Sequence, residues 1–384
     1  VGKNALGVAT SGNSNTAVGA NSLQTVDGTQ NTAVGTDALN ADCVSNNTAV
    51  GREALYAFTG SDATAVGSGA ADSAVGQTNL TAVGRLALSA ATSGNDNTAV
   101  GQGSLQTVDG AQNTAVGSGA LAADCVHSNT AVGYYALTAY TGSNATAVGD
   151  GAADAATAGD PTAIGQAALG AMTDGTENVA VGQLSFTTLT GGDHNTGVGS
   201  YSGWRTTGNR NTMLGNRAGQ NSTTIDDCVA IGKNALAGDG VTAPTGNNNI
   251  AIGNYSLDAT TSGYSNTAVG RDALTLLTEG IANIAIGQGA LDAITDEDHN
   301  VAVGYEALST ETSGASGCTA VGNYALQDQN VASANNVAVG YKSAYNLTTG
   351  TDSVYMGYLA GGVGAITGDH NVVVGQSAML EATS

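Results

Sequence analysis

The sequence predicts an all-β fold, a β-solenoid or parallel β-roll of about 17-residue coils. Three observations carry that expectation. A five-residue word, typified by Asn97-Thr98-Ala99-Val100-Gly101, recurs from end to end. Its glycines fall at 2, 19, 35, 51, 67, 84, 101, 117, 133, 149, 165, 182, 199, 215, 232, 253, 270, 287, 304, 322, 340, 357 and 375, so 22 steps span 373 residues. The positions before each glycine keep a period-2 apolar pattern, and the six to nine residues left over are Thr, Ser, Gly, Asn and Asp. Gly76, in Ser73-Ala74-Val75-Gly76, falls between two motif glycines and reads as a chance echo.

Three before the glycine stands Thr, Val or Ile in all 22 full copies, and one before stands Val, Ile, Leu or Met. β-branched residues at alternate positions suit an extended strand and share one of its faces. That face is predicted to point inward, with Val18, Val34, Val50, Val100, Val116 and Val132 as one row of the core. After the glycine comes Ala or Ser and then usually Leu, read as a second short strand. Its leucines (Leu23, Leu39, Leu55, Leu105, Leu121 and Leu137) form the facing row. The other strand face is small and flat, built from Ala17, Ala33, Ala49, Ala99 and Ala115 with Gly19, Gly35 and Gly51. Because it carries no charge, it is predicted to pack against identical chains around a closed cyclic axis. Asn four before the glycine, in 15 of 22 copies, is a candidate for stacked amide hydrogen bonds.

One coil cannot bury its own Val and Leu, so stacking supplies the core. At a strand spacing of about 4.8 Å, 22 steps predict one continuous rod of roughly 105 Å over residues 1–384. Residues 19–101 and 101–182 are duplicates of one another, offset by five coils. Ala41-Asp42-Cys43-Val44, for example, returns as Ala123-Asp124-Cys125-Val126. Between 199 and 233 the pattern loosens, around Trp204, Arg205 and Arg210, which become candidate ligand contacts; a refilled core is the plainer reading. The longest interval, 232 to 253, holds Gly238-Asp239-Gly240 and Pro244 and predicts a bulging loop. Tyrosines accumulate after 253, where stacking on sugars competes with gap-filling between chains.

Nine basic against 31 acidic residues give a net charge of −22. Nucleic acid and anionic membrane surfaces are therefore poor partners, and no apolar run is long enough for a membrane helix. The opening Val1-Gly2 is the tail of a motif, as expected of a segment from a longer chain.

Little in the sequence carries chemistry. His194, His299 and His370 each precede a motif glycine by five residues, so copies around an axis become candidate metal ligands; solvated turn residues are the ordinary reading. Asp296, Glu297 and Asp298 lack the spacing of a calcium loop. Cys43, Cys125, Cys228 and Cys318 lie too many coils apart to pair within one chain, which leaves buried thiols or bridges between chains. No nucleophile elbow, phosphate loop or clustered carboxylate set is present, so neither catalysis nor a cofactor is expected.

The Asn-Thr-Ala-Val-Gly-x-x-Ala-Leu word at 47–55 and 129–137 resembles two related repeats. One is the head of trimeric autotransporter adhesins, whose word recurs with a shorter, 14-residue period. The other is the repeat of bacteriophage tail fibres and of fibre-like proteins from large algal viruses, similar to this chain throughout. The resemblance implies a left-handed roll with three chains around an axis. It also implies a virion location, neighbouring fibre or baseplate proteins as partners, and host-surface glycan as the eventual ligand. Such fibres often end in a self-cleaving chaperone, and a stop at Ser384 is compatible with its removal. Alternatives are a bacterial surface adhesin, an ice-binding solenoid suggested by Thr16, Thr32, Thr48 and Thr64, and a surface-layer or pilus-like filament.

Overall fold

A computed structural model describes residues 1–7, 11–238, 240–310, 316–329, 335–362 and 364–379. Asp239 of the expected bulge lies outside them. The chain is an all-β parallel solenoid of about 17-residue coils, in two compact units, Val1–Gly191 and Gly192–Ser384. In the first unit three-residue strands stack in chain order from β1 (Thr16–Val18) and β2 (Thr32–Val34) to β11 (Val179–Val181). In the second the same stacking runs from β12 (Thr196–Val198) to β22 (Val372–Val374). Register follows the repeat: Thr98 opposes Thr114, Ala99 opposes Ala115 and Val100 opposes Val116. No strand forms at Gly76, which therefore belongs to a turn region as the echo reading expects.

The strand faces are the reverse of the sequence expectation. Ala33, Ala49, Ala99 and Ala115 are fully buried, whereas Val18 is 44% exposed and Val34, Val50 and Val116 are each 37% exposed. Val132 is exposed as well, and Val100 is half-buried. The Val row is thus an outer row, and Ala17, with the other strand alanines, lines the coil interior. The reason is cross-section. Leu23, Leu39, Leu55, Leu105, Leu121 and Leu137 are all fully buried, and opposite such a row a coil this narrow leaves room only for a methyl group. Parity carries the signal that size obscured: Asn97 and Ala99 lie two apart, hence on one face, and both are buried.

The predicted second strand is absent as well. The Ala-Leu segment is a turn in which the second and fourth residues after each glycine are left-handed, as in Asp37 (φ 55) and Leu39 (φ 50). A third left-handed corner precedes the strand, at Asn46 (φ 65) in that repeat. These corners fold the coil tightly enough to send Leu inward, and successive coils still join there through single backbone hydrogen bonds, such as Leu39 N–H to Ala54 O at 2.9 Å.

Gly19, Gly35 and Gly51 each stack on their counterpart in the next coil. Gly101 illustrates the constraint. Its φ is +137, and a Cβ there would lie 2.4 Å from the carbonyl oxygen of Gly117. Buried asparagines hold successive coils in register: Asn97 Oδ1 accepts the Asn113 N–H at 2.9 Å, and Asn97 Nδ2 donates to Gly110 O at 2.8 Å. Cys228 and Cys318 take the asparagine's place in two coils and are buried free thiols, as are Cys43 and Cys125.

Candidate ligand-binding face

Beyond each motif glycine the chain turns outward before it turns in. The left-handed corner two residues on directs the first and second side chains to solvent, then Ala and Leu point into the coil. Those two outward positions hold most of the basic and tyrosine side chains of this acidic chain. Seven of its nine basic residues stand there: Lys3, Arg52, Arg85, Arg217, Lys233, Arg271 and Lys342. So do eight of its 13 tyrosines. Counting offsets from the glycine exposes this bias, whereas reading the tyrosines by their density along the chain does not.

In the second unit the tyrosines form a surface strip. Tyr305 and Tyr324 meet edge-to-face at 5.3 Å, Tyr324 and Tyr341 at 6.1 Å, and Tyr341 stacks on Tyr358 at 5.6 Å. Lys342 Nζ sits 4.7 Å from the Tyr345 ring centroid and 5.3 Å from that of Tyr324, a cation held by aromatic faces. Lys233 makes the same contact with Tyr255 at 5.6 Å.

Shallow grooves lie on this face in both units. In the first, a groove of about 320 Å³ runs past Arg85, Gln102, Gln106 and Tyr135. In the second, a groove of about 290 Å³ crosses three coils and is lined by Arg217, Gln220, Asn221, Asn234 and Asp258. Burial, with no cation against it, pushes the Asp258 carboxyl up to about 6. Asn234 Oδ1 is buried and accepts no hydrogen bond among the described residues. Arg217 has no ion pair among them.

The residues singled out by sequence do not converge. Arg205 lies over the Trp204 ring at 5.6 Å, and Tyr201 meets that ring edge-on at 6.0 Å. Arg210 is elsewhere on the coil, at the corner five before Gly215, where it forms a two-pronged ion pair with Asp227 (2.6 and 2.8 Å). That pairing holds the Asp227 carboxyl below the usual range. His194, His299 and His370 occupy the same left-handed corner of separate coils and are exposed; His370 Nε2 lies 3.8 Å from Asp352. Histidine tolerates that backbone better than most residues, which accounts for the recurrence. Among the described residues no group of three His, Cys, Asp or Glu is placed to hold a metal ion within the chain. Buried Glu297 Oε2 accepts the N–H groups of Thr295 and Asp296, so it closes its own turn.

Cys43 and Cys125 line twin grooves of about 320 and 250 Å³, the former beside Asp27 and Asp42 and the latter beside Asp109 and Asp124. Burial pushes both thiols up to about 11, so neither is a nucleophile at neutral pH. No helix among the described residues is long and apolar enough to cross a membrane. No protein-family model matches this chain, and no curated protein is significantly similar to it.

Proposed function

We propose that this chain is the structural shaft of a homotrimeric fibre, of the kind that carries a receptor-binding tip on a viral particle. One observation supports it above the others: the outward face of the strands is an uncharged row of Thr, Val and Ile, with one Leu and one Met, and Val18, Val34 and Val116 are exposed in the single chain. Soluble monomers rarely leave a contiguous apolar strip of that extent bare. Copies of the same chain, packed strand face to strand face about an axis, would cover it. The partner-facing surface in this reading is the Val row, not the Ala row. Acidic side chains concentrate in the loops and turns, where they keep such an assembly dispersed. Virion location, fibre or baseplate partners and a glycan receptor at the tip belong to the same reading. A trimeric adhesin head on a bacterial surface is the rival owner of the same architecture, and a membrane-anchor barrel as against a chaperone domain in the full gene would tell the two apart.

A second reading rests on the same face. Ten consecutive strands present Thr at one outward position and Val or Ile at the other, in a parallel sheet paired in register. An ice-binding surface has that form, and in this reading the chain works as a monomer.

Light scattering separates the two. A solution mass three times the 37.3 kDa of the chain, lost when Val100 and Val116 are both replaced by Glu, supports the fibre. A stable monomer with thermal hysteresis sinks it and supports the ice-binding surface.

A further inference from the structure

We propose that Tyr341 and Tyr358 form an oxidative modification site, at which a haem peroxidase and hydrogen peroxide join the two rings into a dityrosine link between successive coils. The proposal goes beyond the shaft reading and does not depend on how many chains assemble.

Register places the pair. The strands Val337–Val339 and Val354–Met356 pair in parallel, with Val339 opposite Met356. Tyr341 and Tyr358 each directly follow the motif glycine of their strand, so they stand at the same point of neighbouring coils. Equivalent points on stacked strands repeat at about 4.8 Å. The two rings lie 12° from parallel with centroids 5.6 Å apart, and both are exposed to a diffusing oxidant. Near-parallel rings rooted at equivalent positions bring like edges together, including the ortho carbons that flank each hydroxyl. Tyr305–Tyr324, Tyr324–Tyr341 and Tyr324–Tyr345 instead meet edge to face, at 79°, 88° and 72°.

Those edge-on contacts feed the pair. Tyr305, Tyr324, Tyr341 and Tyr358 follow one another at 5.3, 6.1 and 5.6 Å, so a radical formed anywhere on the row passes from ring to ring. Tyr305 is hydrogen-bonded to the Glu306 carboxylate, which accepts the phenol proton as the electron leaves. Each phenol gives up one electron and one proton. The two radicals join through their ortho carbons, one carbon–carbon bond forms, and the hydrogen on each joined carbon moves to its oxygen to restore the phenols. The two electrons and two protons reduce one hydrogen peroxide to two waters. The product is a covalent tie across two coils that backbone hydrogen bonds and packing otherwise hold together.

The test treats the full chain, in dilute solution, with a haem peroxidase and limiting hydrogen peroxide. After denaturation, trypsin cuts after Lys342 and leaves Tyr341 and Tyr358 on separate peptides, 272–342 and 343–384. The expected result is dityrosine fluorescence and these two peptides joined, two hydrogens lighter than their sum, in a chain that still runs at the mass of a monomer under denaturing conditions. Tyr341→Phe and Tyr358→Phe keep the rings and lose only the hydroxyls, and circular dichroism confirms that both variants fold. Each should lower the yield of the linked peptides tenfold or more. Tyr264→Phe should leave it unchanged, because Tyr264 is exposed and makes no ring contact among the described residues. Three results would overturn the proposal: no dityrosine, a linkage that survives both substitutions, or covalent dimers and trimers in place of the linked monomer.

Discussion

Met213 and Gly219 exchange volume across the core of a single coil. Met213 stands where other strands have Ala, and Gly219 stands where other coils have Leu; a Cβ on Gly219 would lie 2.4 Å from the Met213 Sδ. Tyr355 and Gly361 repeat the exchange, with the Gly361 Cβ position 2.9 Å from the tyrosine ring. In these two coils the strand residue fills the interior volume that Leu fills elsewhere.

That complementarity predicts a strong coupling. Met213→Ala alone should cost about 3 kcal/mol by leaving a cavity, and Gly219→Leu alone should cost a similar amount by overfilling. The double variant rebuilds the Ala-Leu pair of the next coil, Ala230 and Leu236, and should recover most of the loss. The backbone permits it, since Gly219 has φ +60 and Leu257 holds the equivalent position at φ 50. Denaturant melts of the four proteins should give a coupling above about 1 kcal/mol; simple additivity would show that the two sites are independent.

The buried asparagines make a second prediction. Asn113 Oδ1 accepts the Asn129 N–H at 3.0 Å in the interior, and its Nδ2 donates to the part-buried Val126 O at 2.9 Å. Asn113→Ala strands a buried donor and a part-buried acceptor and should cost about 3 kcal/mol. Asn113→Ser should cost about half as much. At Ser353, which takes the asparagine's place, the hydroxyl still accepts the Asn371 N–H at 2.9 Å. Amide hydrogen exchange at coils 97–145 localises the effect, and equal costs for Ala and Ser would refute the account.

Glycine at two sites separates contact from conformation. Gly101→Ala forces a Cβ against the Gly117 carbonyl in a conformation reserved for glycine, and a loss of about 3 kcal/mol or more is expected. Around Gly76 nothing lies within 4 Å, and only its φ of +75 opposes a side chain, so Gly76→Ala should cost about 1 kcal/mol. Thermal melts of both variants check the ordering.

Periodicity alone was enough to read the solenoid, its coil length and the strand before each motif glycine, but not the turn after it, because stacking in register demands the same residue at the same place without saying what backbone it adopts. Which strand face turns inward was not readable from hydrophobicity. Val100 is larger and more apolar than Ala99, but interior width decided the matter, and only the parity shared by Asn97 and Ala99 betrays it. The groove was illegible for another reason. Arg217, Asn234 and Asp258 come from three coils and converge only through stacking, so no local motif announces them. Arg210 drew attention by its rarity, yet its charge is spent on Asp227.

Asp292 and Asp227 on the coil surface have opposite pH behaviour. Burial, reinforced by Glu306 and Asp272, pushes the Asp292 carboxyl up to about 6 from 3.8. Between those values the folded chain binds more protons than the unfolded one, so stability at this site is full below about 3.8 and is lost as pH rises through 6. Asp227 runs the other way. Its carboxyl is lowered by Arg210, so the stability it contributes is present above 3.8 and lost as pH falls through its folded value. Asp292→Asn should therefore stabilise the protein at pH 7 by about 1 kcal/mol, discounted for partial exposure, and confer no advantage at pH 3.5. Melts of parent and variant from pH 3.5 to 7 read the difference directly. A variant that gains nothing at pH 7, or gains equally at every pH, would show that the charge on Asp292 is not what opposes folding there.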